Sequence, residues 1–438
     1  MVITGQRAVI MRILEENNLS TYNQSISVTH GVGLLVSALL GSGVFIIPAI
    51  AASVAGEWSL LAWFIMGVLI LPIVFTFAAL GKKHPHAGGT AYFVQLAFGD
   101  KAARIVSWLF IWVVALGAPV IVITGANFLV NGLSAAGIIE QSTQQVLFLC
   151  SMLMLFLLLL FNLFGLKTAA AIQTSLSIGI VSCLLFVSVN SQVTQPFHLP
   201  DTDFQLSTVA LSATYILWCF LGIEAIAHLA NDFKNPHRDF PLTIIIGIII
   251  TLIVYSLISL SLLQMHFYGD ENENLNSVIN LVRLSLGHKG YMIVSFTGFL
   301  TCYISVSLYF VGFSRLLSSM AKQQQLLSVF SMQNAYAVPY WGLLSAVSMT
   351  GVMLLVYHYS GLDLDGLIAY ANGLFILIYL AASLAGTKLL TGVNRRLALL
   401  ASCTCLLLFV SLATHAFFAM GLLSLLSLYY RLKSKKRS

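Results

Sequence analysis

Residues Leu40-Gly41-Ser42-Gly43-Val44-Phe45-Ile46-Ile47-Pro48 interrupt an apolar run that extends from residue 28 to residue 55. A run of that length is sized to cross a bilayer, which takes about 20 apolar residues. Two glycines around a serine in its middle weaken the helix at a depth where free backbone groups have no water to bond. The segment therefore reads as a broken membrane-spanning helix. If it unwinds there, the N–H groups of the second half-helix point into the protein and suit an anionic group such as a carboxylate. Close packing of helices through small residues is the competing reading of Gly-Ser-Gly taken by itself.

Composition extends this reading to the whole chain. Of 438 residues, 59% are apolar and only 8% charged, with a mean hydropathy of +0.93. Soluble domains carry about 25% charged residues. A disordered chain needs the opposite balance, low hydrophobicity with high charge. Six cysteines spread over a long apolar chain do not make a secreted disulfide framework. What remains is an all-α integral membrane protein.

Twelve hydrophobic stretches are legible, at about 28–55, 58–80, 104–133, 145–164, 168–189, 208–231, 242–266, 290–313, 339–357, 363–386, 396–413 and 415–430. They are continuous rather than alternating, and they exceed strand length, so they predict helices. The third is long enough to tilt. With the N-terminus placed in the cytoplasm, 19 of the 21 Lys and Arg residues fall in cytoplasmic segments. Only Arg283 and Lys289 fall outside, both in the long loop after the seventh span. That asymmetry is a positive-inside signal, and a missed span would scramble it. The basic tail from Arg431 to Arg437 reads as an anchor against anionic lipid rather than a nucleic-acid site. The first 27 residues are polar, contain Glu15 and Glu16, and do not read as a signal peptide.

A second break lies in the sixth span, at Trp218-Cys219-Phe220-Leu221-Gly222-Ile223-Glu224. Glu224 is the only one of 15 acidic residues placed well inside a span. A carboxylate at that depth is costly, so a functional role is the default expectation; a glutamate bonded to backbone or neutralised by burial is the bland one. His228 follows one turn later on the same face, either as a proton carrier or as a solvated group near the cytoplasm. Spans one and six occupy matching places in a five-plus-five scheme, with the two halves in opposite orientation. Interrupted first helices in two inverted halves are the mark of a transporter with a midplane site. Asn127 in span three and Tyr370-Ala371-Asn372-Gly373 in span ten add polar groups able to face such a cavity, or simply to bond a neighbouring helix. The cysteines read as small buried hydrophobes, and Cys403-x-Cys405 lacks metal-ligand spacing.

Four of these segments resemble a known family. Leu40–Phe45 is similar to the span-one substrate motif of the amino acid–polyamine–organocation (APC) superfamily, and Phe220–Glu224 to its span-six motif. Ala87-Gly88-Gly89-Thr90-Ala91-Tyr92 and Phe233-Lys234-Asn235-Pro236-His237-Arg238 look like its two cytoplasmic loop motifs. Trp218 to Pro241 and Tyr370–Gly373 look most like a bacterial branch that exports methionine and branched-chain amino acids. The resemblance implies a LeuT-type fold with alternating access. It divides the chain into a cytoplasmic segment 1–27, a first repeat 28–189, a second repeat 208–386, two further helices in 396–430 and a basic tail 431–438.

It also implies roles. Gly41, Ser42 and Gly43 would bind a substrate carboxylate, and the Phe220, Leu221 and Gly222 carbonyls would take the amino group. Trp218 matches a gating aromatic, and Glu224 a glutamate that links span six to the gate. Some relatives place a proton-mimicking lysine in span five. Residues 168–189 have none, which leaves Glu224 or His228 as the expected proton carriers.

Charge inventory bears on the substrate. A cationic side chain would want several cavity carboxylates, and only Glu224 is available; an anionic one would want a Lys or Arg at depth, and no span centre has one. A neutral apolar amino acid fits best, with H+ as coupling ion, no cofactor and no metal. The expected location is the bacterial inner membrane with both termini cytoplasmic. An importer or exchanger of the same fold remains the main alternative. An intramembrane enzyme would need a nucleophile or further metal ligands beside Glu224 and His228. A transporter-like nutrient sensor would need a soluble signalling domain.

Overall fold

The structure is a computed structural model that describes residues 26–84, 89–139, 143–164, 169–194, 203–222, 233–323 and 325–435. Fourteen α-helices follow one another among them: α1 Val28–Leu40, α2 Ile47–Ala55, α3 Ser59–Lys83, α4 Gly89–Phe98, α5 Asp100–Ala135, α6 Gln144–Leu163 and α7 Ala169–Thr194 form the first half. The second half comprises α8 Leu206–Ile216, α9 Pro236–Met265, α10 Glu271–Lys322, α11 Tyr340–Ser360, α12 Leu364–Leu389, α13 Gly392–Ser411 and α14 Ala416–Lys435. The one β feature among the described residues is an isolated bridge between Ile26 and Phe233. Helix is what the sequence demands, because in lipid every backbone N–H and C=O has to be satisfied within its own segment.

Nine helical stretches among the described residues are long and apolar enough to cross a membrane. Three shorter apolar helices, Val28–Leu40, Ile178–Asn190 and Leu206–Phe220, accompany them. Nine counts only the described residues; Ile178–Asn190 is part of the 26-residue α7, and the other differences from the expected twelve are local. Two of the short pieces are half-helices of the broken spans, and α2 and α3 run on as one stretch despite the 3₁₀ turn at Gly56–Trp58. The long third span is a 36-residue helix, about 54 Å at 1.5 Å per residue against a hydrocarbon core of about 30 Å. Large side chains such as Phe64, Phe156, Phe296 and Phe417 are exposed on the outer surface, where lipid replaces water.

Basic residues from distant segments meet at one end of the bundle. Lys83 Nζ donates to the Leu389 carbonyl at 2.5 Å, and Lys388 Nζ lies 4.2 Å over the Phe98 ring. Lys234 N donates to Ile26 O at 3.0 Å, so the entry to α1 is paired with the segment that leads into α9. The ends of α3, α4 and α12 therefore share a face, as the Lys/Arg pattern requires of segments on one side of a bilayer.

The sequence reading leaves residues 267–289 as a loop. The structure makes most of it helix. Asp270 caps α10 with a reciprocal capping box to Glu273, and the chain bends at Gly287, where φ is +63°. The part before that bend, 271–286, forms an outer helix laid over α5. Asn127 Nδ2 donates to Leu275 O at 3.0 Å and to Asn276 Oδ1 at 3.1 Å, and Asn131 Nδ2 donates to Asn276 Oδ1 at 2.9 Å. Asn274 reaches Ser53 on α2, and Tyr357 on α11 donates to Glu271. Asn276→Ala leaves two amides short of an acceptor, a loss of about 1–3 kcal/mol. We expect backbone hydrogen exchange in residues 272–284 to quicken by about tenfold or more in that variant; unchanged exchange would mean the outer helix is held elsewhere.

Candidate functional site

Both expected breaks are present and they adjoin. The first half of span one, α1, ends at Leu40; Gly41 and Ser42 form a turn, Gly43–Phe45 a 3₁₀ turn, and α2 begins at Ile47 with Pro48 in its first turn. Proline suits that place because the first N–H groups of a helix have no partner within it. In span six, α8 gives way to a 3₁₀ turn at Leu217–Phe220; Leu221 is extended and Gly222 has φ +112°, a conformation that L side chains rarely adopt. A Cβ on Gly222 would come within 3.9 Å of the Ala38 Cβ, which fixes the second break beside the end of α1. Glu224 and His228 lie outside the described residues, as do Ala87 and Gly88 of the first loop motif.

The residues expected to bind substrate are brought together, with Ser42 and Gly43 buried and Gly41 and Gly222 partly exposed. Trp218 is 9% exposed, and its indole spans the gap between two glycines. A Cβ on Gly43 would lie 3.3 Å from one edge of the ring, and one on Gly117 of α5 would lie 3.3 Å from the other. The ring thus sits against both span one and span three, so any movement of span six carries it. Phe45 packs edge-on against Phe128 of α5 at 4.6 Å, closing the apolar side of the first break.

Of the two readings of the three further polar positions, the contacts match the second, a bond or packing contact with a neighbouring helix. Asn127 is engaged with the outer helix. Asn372 is fully buried and donates from Nδ2 to Thr214 O on α8 at 2.7 Å, tying α12 to the half-helix that leads into the second break. Tyr370 packs its ring on His415 and Phe418, at the junction of α13 and α14. Asn372 lies two residues after Tyr370, about 200° round the helix, and so faces another neighbour, which residue type alone does not reveal.

Sequence reasoning passed over Tyr255 on α9. It is fully buried, and its hydroxyl donates to Leu39 O at 3.0 Å. The Cys219 thiol shares a hydrogen bond with the same hydroxyl, and the Tyr255 ring stacks on Trp63 of α3 at 4.8 Å. The available signal was a phenol near the middle of an otherwise aliphatic span, the same kind of signal that marked Asn127 and Asn372.

A family model described as amino acid permease matches residues 26–430. The chain belongs to the amino acid permease family. Among curated relatives, the permease is 34% identical over 409 residues to the L-methionine/branched-chain amino acid exporter YjeH of Escherichia coli, covering 93% of this chain and 96% of that one. It is 28% identical to the uncharacterized amino acid permease YecA of Bacillus subtilis, over 85% and 87% of the two chains. It is 24% identical to the serine/threonine exchanger SteT of the same organism, over 71% and 70%. The family match takes in both breaks, α10 and most of the last helix. The permease is thus a multi-pass membrane protein of an amino acid transporter family.

Proposed function

We propose that this permease exports neutral apolar L-amino acids, namely methionine, leucine, isoleucine and valine, in exchange for protons. Twelve crossings in a five-plus-five inverted repeat plus two helices would carry it, in the bacterial inner membrane with both termini cytoplasmic. The observation that supports this best is the meeting of two broken helices around Gly41–Gly43 and Phe220–Gly222, with no Lys, Arg, Asp or Glu among those described residues. Half-helix ends supply partial charges of both signs, which match the carboxylate and ammonium shared by all amino acids. The walls supply Phe45, Phe220, Leu221 and Trp218, which match an apolar side chain. Among the described residues a charged side chain would meet no fixed counter-charge, at the cost of its hydration. The similarity to the E. coli exporter supports the same substrates. Nothing in the reading requires a cofactor, a metal or a nucleic-acid partner.

Direction follows the gradients, because alternating access is reversible; the serine/threonine exchanger among the relatives keeps import or exchange as the second reading. Two assays separate them. In proteoliposomes loaded with labelled methionine, an imposed pH gradient should accelerate release, and leucine, isoleucine and valine should compete while arginine and glutamate do not. Release indifferent to the gradient would remove the proton. In cells fed methionine-containing dipeptides, overexpression should lower internal methionine; a rise would favour import.

A further inference from the structure

We propose that the Tyr255 hydroxyl occupies the place a coupling cation would take at the span-one break, so that the broken helix is held by protein and substrate binding is independent of sodium. The end of α1 is a site in need of a positive partner. A helix terminus leaves its last four carbonyls without intrahelical donors, and inside a membrane those carbonyls must find another donor or an ion. Unwound carbonyls and half-helix C-termini at the centre of transporters are places where cations bind. Here the donor is built in. The phenol donates to Leu39 O at 3.0 Å and grazes Leu40 O at 3.5 Å, the last two carbonyls of α1.

The hydroxyl has no freedom to leave. Tyr255 is 0% exposed and its ring lies nearly parallel to that of Trp63, at an interplanar angle of 16°. Its oxygen meets the Cys219 thiol of the second break and lies 2.9 Å from where a Gly43 side chain would begin. An ion approaching Leu39 O from that side would collide with the phenol. One side chain on α9 therefore ties the first break to the second, and it joins the substrate motif of span one to span six without touching the substrate. Tyr255 is a positioning residue.

The geometry stands without any assumption about cargo; only the statement about substrate rests on the function proposed above. The test separates the two. Hydrogen–deuterium exchange of the peptide covering residues 38–46 is followed on detergent-purified protein, in sodium chloride and in choline chloride at equal ionic strength, with no amino acid added. Methionine binding is measured on the same samples. Wild-type exchange and affinity should be the same in both salts. Tyr255→Phe keeps the ring and its stack on Trp63 and removes the donor; exchange should quicken and methionine affinity fall, each by about tenfold. Sodium that slows exchange in the wild type, or a Tyr255→Phe variant that matches the wild type in exchange, would overturn the proposal. A wild type that binds no methionine would defeat the transport reading and leave the exchange result to decide on Tyr255. Should Tyr255→Phe not fold, the two-salt comparison on the wild type still decides whether a cation acts at the break.

Discussion

Gly43→Val is expected to abolish binding of methionine while leaving a folded, monodisperse protein. The added Cβ would sit 2.9 Å from the Tyr255 hydroxyl, 3.3 Å from the Trp218 ring and 3.4 Å from the Cys219 sulfur. None of the three can retreat. Tyr255 is clamped by Trp63 and by its bond to Leu39 O, Trp218 backs onto Gly117, and Cys219 is fully buried. Valine adds two further methyl groups to this crowding. Overpacking a filled interior costs about 1–3 kcal/mol, and in this place the strain falls on the two breaks themselves. Gly43→Ala should show a partial loss of about tenfold, since its single methyl presses on the phenol oxygen at 2.9 Å but meets the Trp218 ring and the Cys219 sulfur only at 3.3 and 3.4 Å. Gly33→Ala is the control on the same span, because a side chain there meets nothing within 4 Å. Equilibrium binding of labelled methionine to the purified variants checks the series. Normal affinity in a folded Gly43→Val protein would remove this break from the binding site.

What the sequence made legible, and what it hid, divides along the range of the forces involved. Breaks in spans one and six are local: Gly-Ser-Gly and Leu-Gly weaken a helix wherever the helix goes, so they could be located before any packing was known. Charge is also legible, because Lys83 and Lys388 must avoid lipid and so report the ends of their helices, which the structure brings to one face. Partner choice is not local. Asn127 and Asn372 are both lone amides in apolar spans, yet one bonds the outer helix and the other bonds α8. Which neighbour an amide meets depends on the rotation of each helix about its axis, a property of the whole bundle. Tyr255 is hidden for the same reason, since its partner Leu39 is 216 residues away. The outer helix of α10 is a different case. Its Asp270-Glu-Asn-Glu273 start carries a capping-box pattern that was readable in the sequence. Arg283 and two glutamates in the first turn disqualify the stretch as a span of its own, and a helix that is not a span escapes a search for spans.

Glu224→Gln should uncouple methionine movement from the pH gradient. The argument is one of charge accounting. Ionised carboxylates at membrane depth are costly, so a chain keeps one there where the group changes its charge during the work it does. Glutamine keeps the size and the hydrogen-bonding carbonyl and cannot titrate. In proteoliposomes, gradient-driven methionine release by Glu224→Gln should fall to about a tenth of wild type between pH ~5.5 and ~8, while methionine–methionine exchange at equal pH continues. Exchange needs only the binding site and alternating access, so its survival would separate a coupling defect from a broken protein. His228→Gln is the companion variant, since His228 follows four residues on in the sequence and is the other group able to carry a proton in that segment. Should Glu224→Gln retain its full pH response while His228→Gln loses it, the proton rides on the histidine. If both retain it, neither group carries the proton, and proton coupling through span six fails.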